Sequence, residues 1–413
     1  MKVSLSNTAS NPNVRAAAYG LWEANLLAEF NVSFAVSPGS FLSRLGEFGY
    51  FSEIKRRIYD PVLKPYINTW PWFELGRRAA SRVGLSRLVT NGNGIFNENS
   101  INIAFDKHVV SGLKFAARKE IGAVYSFEDV SSFSFKKGKS LGLHCLYELP
   151  IGYWRAMHRL LEREKERWPE WANTITGFND SPEKLARKDE ELELADHIFV
   201  ASSFTASTLK EFPGKLPPVH VIPYGFPDAN DDKRHYTNIF FGKKLKLLFV
   251  GSLSQRKGIA DLFEAVKGLE GKIDLTVVGQ RKANCPALDA ALTKHHWIAT
   301  LPHNDVLKLM RENDVLVFPS LFEGFGLVIT EAMSQGMPVI TTNRTAGPDI
   351  ISHEKNGWLI EAGSIQALKG AIENVLNNPS VIARAGREAM QTARIRPWSV
   401  YGRELATCIR TIL

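Results

Sequence analysis

The chain has 413 residues, of which 44% are hydrophobic and 23% are charged, and this balance predicts a soluble globular protein of about two domains. No apolar run approaches the roughly 18 residues of a membrane-spanning helix, and the first residues lack the apolar core of a signal peptide. Cys145, Cys285 and Cys408 are widely separated and match neither a disulfide framework nor a metal-binding pattern, so we expect a cytoplasmic protein.

The net charge of +8 is unevenly distributed along the chain. Residues 51–139 carry 15 Lys and Arg against 8 Asp and Glu, and aromatic residues alternate with the bases over residues 51–57 and 66–87. Three interpretations stay open: an ordinary solvated face, a surface for anionic lipid, or a surface for an acidic glycan or nucleic acid. No nucleic-acid motif accompanies the segment, so nucleic acid is ranked last and no nucleic-acid partner is expected.

The first half of the chain predicts an irregular alternation of strands and helices. Short apolar segments predict strands at residues 3–5, 33–35, 123–125, 141–146, 198–201 and 219–222. A helical insertion is expected over residues 40–90, and charged helices over residues 155–196. Residues 228–234 are polar and predict a linker.

The second half alternates strand and helix more regularly. Strands are expected at residues 245–251, 273–279, 297–301, 315–319, 338–342 and 358–360, and helices such as 259–269 and 306–312 lie between them. Short continuous apolar strands joined by helices predict a parallel sheet covered on both faces. Ligands bind such sheets at the carboxyl ends of the strands, so we expect a ligand near residues 252–258, 280–285, 302–304 and 321–326.

Two carboxylates, Glu323 and Glu331, frame a glycine-rich turn after the apolar strand at residues 315–319. The following residues, 327–335, have helical composition, so free backbone N–H groups and a positive helix end should face an anion. Ionised carboxylates are strong acceptors for sugar hydroxyls. A phosphate flanked by two sets of hydroxyls describes a nucleotide sugar.

This Glu-Gly-Phe-Gly loop, with a second Glu eight residues after the first, resembles the signature of the retaining GT-B glycosyltransferases of family 4, the glycosyl transferases group 1. The resemblance implies that Glu323 lies beside the donor sugar, that the amides near Phe325, Gly326 and Leu327 meet the sugar and the diphosphate, and that Glu331 binds the ribose. It extends over roughly residues 195–400 and implies an α/β GT-B fold of two Rossmann-like domains. Residues 1–228 would form the acceptor-side domain and residues 229–394 the donor-binding domain, with a helix over residues 395–413 that crosses back to the first.

A second group of candidate binding residues follows the first strand of the second half. The turn at Gly251 leads to Arg256 and Lys257, and two fixed cations suit the developing charge of a leaving diphosphate. Lys257 keeps the family's lysine place, but Ser252 stands where the family usually has arginine. Either Arg256 replaces the missing cation or the site works with one.

Two further strand ends carry donor-binding candidates. Gly279 permits the close approach of a nucleotide, and Pro302 stands where the family places the base against the main chain. Both are therefore expected at the donor site.

The acceptor side departs further from the family pattern. Tyr147 takes the place of a histidine that many members have near the anomeric carbon, and Glu148 takes the following acidic place. Glu128, on the loop of the preceding strand, is a further acceptor-side candidate. Arg15 is open to three interpretations, namely a contact to donor phosphate, a contact to the acceptor, or a surface position on a helix.

The resulting hypothesis is a retaining, hexosyltransferase-type glycosyltransferase that uses a UDP- or GDP-sugar and transfers the sugar to a glycan or lipid-linked glycan hydroxyl. No Asp-x-Asp motif lies near a donor loop, so no metal and no cofactor are expected. With a lipid-linked acceptor, residues 51–139 would contact the inner face of the membrane peripherally. A nucleotide-sugar epimerase and a non-catalytic GT-B partner subunit remain as alternatives, the latter because of Ser252 and Tyr147.

Overall fold

The computed structural model describes residues 1–36, 57–90, 94–175, 177–229, 234, 236 and 243–413. The predicted helical insertion over residues 40–90 therefore lies partly outside the described residues, as do residues 51–56 of the basic segment and 230–233 of the linker. Two separate parallel sheets, of seven and six strands, organise the chain. This arrangement confirms the predicted α/β class with two doubly wound sheets.

The first sheet has the order β3-β2-β1-β4-β5-β6-β7, with every pair of neighbours parallel. Its strands are β1 (Lys2–Asn7), β2 (Leu27–Val32), β3 (Ile67–Thr69), β4 (Ile121–Phe127), β5 (His144–Leu149), β6 (His197–Val200) and β7 (Val219–Val221). All seven residues of β4 are buried, because helices cover both faces of the sheet.

Two strands of the first half were not placed by the sequence, since β2 ends before residues 33–35 begin and β3 lies within the predicted helical insertion over residues 40–90. Two polar residues in β2, Glu29 and Asn31, hid its apolar pattern. Both are buried and satisfied inside the fold, where Ser4 Oγ donates to Glu29 Oε1 at 2.8 Å and Asn31 Nδ2 donates to the same atom at 3.2 Å. Lys119 also pairs with Glu29.

The helices of the first half lie between these strands, and three of them start at a side-chain cap. They are α1 (Pro12–Glu23), α2 (Trp72–Arg82), α3 (Glu98–Gly112), α4 (Ser132–Ser140), α5 (Trp154–Arg167), α6 (Pro182–Leu194) and α7 (Ser203–Thr208). The side chains of Asn97, Ser181 and Ser202 accept from backbone N–H groups at the starts of α3, α6 and α7. A 3₁₀ helix, Pro169–Thr174, follows α5.

The second sheet has the order β10-β9-β8-β11-β12-β13, which is the 3-2-1-4-5-6 order of a doubly wound fold. Its strands are β8 (Leu245–Val250), β9 (Ile273–Val278), β10 (His296–Ile298), β11 (Val315–Phe318), β12 (Val339–Thr342) and β13 (Gly357–Ile360), close to the predicted positions. Its helices are α8 (Ile259–Val266), α9 (Pro286–Leu292), α10 (His303–Glu312), α11 (Leu327–Ser334), α12 (Gly347–Ile350), α13 (Ile365–Asn377) and α14 (Ser380–Ile395).

The last helix, α15 (Trp398–Ile412), packs along α1 of the first half. The two helices approach closely where glycines face each other, because a Cβ on Gly20 would lie 2.2 Å from the carbonyl oxygen of Gly402. The chain end therefore returns to the first sheet. Within the described ranges, no helix is long and apolar enough to cross a membrane.

Candidate functional site

The order of the second sheet reverses between β8 and β11, and open parallel sheets bind ligands at such a switch point. The loops at residues 251–258 and 319–326 both leave the carboxyl edge there, and they are joined to each other. The carbonyl of Arg256 accepts from Leu321 N at 2.9 Å and from Ser320 Oγ at 3.1 Å. Two predicted motifs separated by more than 60 residues in sequence therefore form one structure.

The centre of this structure is a buried ion cluster around Glu323. Lys257 Nζ pairs with Glu323 Oε1, and Arg256 Nη1 lies 3.4 Å from the same oxygen. Ser320 Oγ donates to this oxygen at 2.9 Å. Arg256 Nη1 also donates to the carbonyl of Phe322 at 2.8 Å, which fixes the direction of its guanidinium. All three predicted catalytic residues thus lie in direct contact.

The charges decide the state of the Glu323 carboxyl. Burial by itself would raise the pKa of Glu323, but the nearby charges of Lys257 and Arg256 outweigh burial and hold this pKa below its ordinary value. Glu323 is therefore ionised at neutral pH. The side chain of Lys257 is only 13% exposed, so its charge is directed at the cluster rather than at bulk water.

The glycine loop continues from this cluster into α11. Gly326 has φ of 89°, a left-handed conformation that favours glycine, and it directly precedes the first residue of the helix, Leu327. The ring of Phe325 packs against Tyr224 at a centroid distance of 5.0 Å. The helix then carries Glu331 to the wall of a cavity, whereas Glu323 stays at the switch point.

That cavity is an interdomain cleft of about 790 Å³. Its second-half wall includes His303, Leu327 and Glu331, and its first-half wall includes Arg15 and Tyr59. His303 Nδ1 lies 3.9 Å from Glu331 Oε1, and Pro302 precedes it at the surface. The structure therefore separates the two glutamates, with Glu331 on the cleft wall and Glu323 among the cations.

The strand-end glycines of β8 and β9 approach each other. A Cβ on Gly279 would lie 1.7 Å from the carbonyl oxygen of Gly251, so the close approach at Gly279 is to this backbone. Ser252 follows, and its carbonyl accepts from Ser254 N at 2.9 Å. The need for glycine at position 279 thus has a packing cause, which differs from the nucleotide contact expected from the sequence.

Three of the four acceptor-side candidates lie in the interior rather than on the cleft. Tyr147 is fully buried between β5 and α6, and its hydroxyl donates to Glu191 Oε2 at 3.4 Å. Glu128 is nearly buried and pairs with Lys188 at 3.3 Å. Neither side chain is among the residues that line the cleft, and each already has its partner inside the fold.

Glu148 is the third interior candidate, and it connects distant parts of the chain. Its carboxylate accepts from the hydroxyls of Tyr125 and Tyr224, the latter at 2.5 Å, and lies 3.4 Å from the hydroxyl of Tyr401 on α15. Burial raises the pKa of Glu148 above its ordinary value, although these hydrogen bonds lower it in part. The placement indicates a structural role. Arg15 is the one of the four candidates that lines the cleft.

A docking contact between the halves was missed by sequence reasoning. The carbonyl of Gly324 accepts from Ser202 Oγ at 2.5 Å and from Thr205 Oγ1 at 2.9 Å. A Cβ on Gly324 would lie 1.8 Å from the carbonyl oxygen of Pro150, so the glycine loop touches the first half directly. The run Ser202-Ser203 was visible in the sequence, but the carbonyl that accepts from the Ser202 hydroxyl lies more than 100 residues away.

Metal ligation would require several His, Cys, Asp or Glu side chains that converge on one point within the described residues. There, no group of three or more His, Cys, Asp or Glu side chains is arranged to hold a metal ion. The positive charges at the switch point are side-chain cations.

Comparisons with known proteins agree with this architecture. Along its full length the chain superposes on the sucrose-phosphate synthase of Thermosynechococcus elongatus with a TM-score of 0.67 at 17% identity, covering 100% of this chain and 99% of that one. The structure of HepE from Anabaena in complex with UDP-glucose superposes with a TM-score of 0.63 at 15% identity, covering 100% of both chains. These likenesses show that the fold is GT-B.

The sequence likeness is concentrated in the second half. Residues 231–392 match the family model of the glycosyl transferases group 1. The glycogen synthase of Mycobacterium tuberculosis is 29% identical over 154 residues, which are 35% of this chain and 37% of that protein. The matched region therefore spans well under half the length of this relative. Together with the fold, these matches support a group 1 glycosyltransferase.

Proposed function

We propose that this protein is a retaining glycosyltransferase of family 4 that transfers a sugar from a UDP- or GDP-sugar to a hydroxyl of a glycan or lipid-linked glycan. The observation that carries the proposal is the ion cluster of Glu323, Lys257 and Arg256 at the switch point of the second sheet. The glycine loop leads from this cluster into α11, which carries Glu331 on the wall of the cleft.

The cluster suits a diphosphate because both cations are fixed before a ligand arrives. Lys257 and Arg256 share one carboxylate oxygen, so an incoming diphosphate offers them more negative charge than Glu323 supplies. Glu323 is then released to accept from donor-sugar hydroxyls, while Glu331 accepts from the ribose on the cleft wall. The UDP-glucose complex of the structurally similar HepE supports a nucleotide sugar as the donor.

The proposed chemical step is a front-face substitution. The bond between the anomeric carbon and the diphosphate oxygen breaks, and its electron pair leaves with the diphosphate, whose charge Lys257 and Arg256 neutralise. The acceptor oxygen bonds to the same face of the anomeric carbon, and its proton passes to an oxygen of the departing diphosphate. The anomeric configuration is retained, and a nucleoside diphosphate is released.

No metal and no cofactor enter this step, because the two cations supply the charge that a metal would supply. The acceptor would enter along the first-half wall of the cleft. Arg15, which was predicted from the sequence as an acceptor-side candidate, lines this wall. Tyr59 and Asp60 line the same wall and would give further contacts to acceptor hydroxyls. Ser252 and Tyr147 differ from the family pattern, but both differences are compatible with turnover. Arg256 provides a second cation in place of the arginine that Ser252 replaces, and Tyr147 is a core residue.

For the acceptor we propose a lipid-linked glycan at the inner face of a membrane. The protein would contact this membrane peripherally through α2 and the residues that follow it. Trp72 is 68% exposed and Val83 is 70% exposed, and Leu75 and Leu85 are exposed near them. Arginines of the same helix line a cavity of about 470 Å³; its lining residues are Arg77, Arg78, Ser81, Arg82 and Val89. Apolar side chains beside arginines fit an interface with anionic lipid.

Membrane contact is tested by co-sedimentation with vesicles of phosphatidylglycerol or of phosphatidylcholine. We expect binding to the anionic vesicles only, and a clear loss in the double variant Trp72→Ser, Val83→Ser. Ile395→Ser is the matched control, because Ile395 is 67% exposed but lies at the end of α14. Equal binding by the double variant and the control would contradict this surface.

The function is tested by the acceptor-dependent release of nucleoside diphosphate from UDP- and GDP-sugars. Release should require the acceptor, and Glu323→Ala should lose most turnover while its circular dichroism spectrum stays that of a folded protein. Unchanged turnover in Glu323→Ala would overturn the assignment. Products without acceptor would indicate an epimerase, and nucleotide binding without products a non-catalytic partner subunit.

A further inference from the structure

The residue directly before the two cations, Gln255, is a fully buried polar side chain whose hydrogen-bonding groups are all engaged. Its amide nitrogen donates to Glu164 Oε2 and to Asp261 Oδ2, both at 3.1 Å. Its amide oxygen accepts from Ala260 N at 3.0 Å, and its backbone N–H donates to Thr174 Oγ1 at 2.9 Å. Gln255 is therefore fixed in position and orientation.

Gln255 begins the 3₁₀ helix Gln255–Lys257, so Arg256 and Lys257 follow it on the same short turn. A shift of the Gln255 backbone would move both cations relative to Glu323. The contacts that fix Gln255 thus set where the cations of the proposed diphosphate site stand.

Two of these contacts depend on one arginine from the other half of the chain. Arg167, at the end of α5, donates through Nη2 to both oxygens of Asp261 at 2.6 Å and to Glu164 Oε2 at 2.8 Å. Its Nη1 also donates to the carbonyl of Gly363 at 2.6 Å. Both carboxylates that hold Gln255 are therefore held by Arg167.

The arginine is needed because these carboxylates lie close together in the interior. Asp261 is 1% exposed and Glu164 is 6% exposed, and both accept from the one amide group of Gln255. Without a cation between them the two charges repel each other with little screening, and a neutral amide cannot compensate both. Trp168 donates to Asp261 at 3.1 Å, but it brings no charge.

We propose that Arg167 is a positioning residue for the diphosphate site, acting across the interface of the two halves through Asp261, Glu164 and Gln255 on Arg256 and Lys257. This inference rests on the proposed function, because it concerns how the donor diphosphate is held. It assigns to α5 a role in donor binding, although Arg167 contacts neither cation among the described contacts.

The test compares the affinity for UDP with the affinity for uridine, with GDP and guanosine in parallel, by isothermal titration calorimetry. The variants are Arg167→Ala and, as a matched control, Arg159→Ala. Arg159 lies on the same helix and pairs with Glu211 of the first half, so its loss removes an ion pair that includes no residue of the second half. Arg167→Lys serves as the conservative variant, since lysine keeps the charge but loses the fork of donors.

Arg167→Ala should weaken binding of the diphosphate on the order of tenfold while nucleoside binding changes little, because only the diphosphate needs both cations in place. Arg159→Ala should keep both affinities, and Arg167→Lys should recover part of the loss. A global loosening of the fold would weaken the nucleoside and the diphosphate together.

The outcomes separate the two proposals. An unchanged ratio of diphosphate to nucleoside affinity in folded Arg167→Ala and Arg167→Lys would overturn the positioning role while the proposed function stands. If the wild-type protein binds no nucleotide, the proposed function fails and the positioning role fails with it. Should Arg167→Ala not fold, the ratio measured for Arg167→Lys decides, because this variant keeps a cation beside both carboxylates.

Discussion

Replacing Glu323 by glutamine isolates the competition between this carboxylate and a bound diphosphate. The change removes one negative charge and keeps the size of the side chain, so Ser320 can still donate to the remaining carbonyl oxygen. Lys257 and Arg256 then share a largely buried site without a counter-ion. Breaking a buried ion pair on one side costs roughly 3–5 kcal/mol. The ligand-free variant should therefore melt several degrees below the wild type.

Binding of UDP should change in the opposite direction. UDP carries no donor sugar, so it loses no hydroxyl contact to Glu323, and its diphosphate meets two cations that no carboxylate occupies. One charge-assisted contact is worth about 1.5–3 kcal/mol, and about 1.4 kcal/mol is a factor of ten in Kd. UDP should bind Glu323→Gln on the order of tenfold more tightly than wild type, while turnover of the sugar donor is lost.

The assay is calorimetric titration of UDP and GDP into both proteins, with melting temperatures taken with and without ligand. Glu264→Gln is the control, because Glu264 forms an exposed ion pair with Lys267 at 3.3 Å. Glu323→Gln should show a larger ligand-induced rise in Tm than the wild type. Tenfold weaker binding of UDP to a folded Glu323→Gln would refute the competition and leave Glu323 as a partner that organises the cations.

Three further predictions follow from single residues. Glu331→Ala should weaken binding of UDP more than binding of inorganic pyrophosphate, because Glu331 on the cleft wall would accept from the ribose; calorimetry checks this. Gly324→Ala should reduce turnover and lower Tm, because its Cβ would lie 1.8 Å from the Pro150 carbonyl oxygen. Burial, with the charge of Asp129, raises the pKa of Glu191 from 4.5 to about 8. The free energy of unfolding should therefore fall as pH rises from 4.5 to 8, by at most roughly 1.4 kcal/mol per pH unit. Glu191→Gln should flatten the curve of Tm against pH.

Each of these has a contradicting outcome. Equal losses of UDP and pyrophosphate affinity in Glu331→Ala would argue against a ribose contact. Wild-type turnover in Gly324→Ala would mean that the contact between the halves is not needed for the reaction. The sign for Glu191 follows because the folded state keeps a proton that the unfolded state has released, so parallel Tm–pH curves for wild type and Glu191→Gln would remove Glu191 as the cause.

The second sheet was predictable from sequence because its strands are short apolar runs that end in glycine turns. Residues 315–319 and 245–251 were placed nearly to the residue, and with them the loops that carry Glu323 and Lys257. The strand β2 was missed because it contains Glu29 and Asn31, which are buried and paired in the fold. In a single sequence, such polar residues are typical of a loop rather than of a buried strand.

The interior of the site was less predictable. That Tyr147 lies in the core depends on the partner Glu191, 44 residues further on, and no local pattern shows such a pair. The network of Gln255, Asp261 and Arg167 likewise joins residues from both halves. The sequence indicated which residue types suit a diphosphate, but the contacts that position them are long-range and appear only in the fold.

We expect a nucleotide-sugar site on the ion cluster beside the glycine loop. It is tested most directly by melting the wild-type protein with UDP, GDP, ADP and their common sugar conjugates, each with and without magnesium. We expect one nucleotide family to raise Tm and magnesium to leave this rise unchanged. A well-folded sample whose Tm no nucleotide raises would contradict the claim.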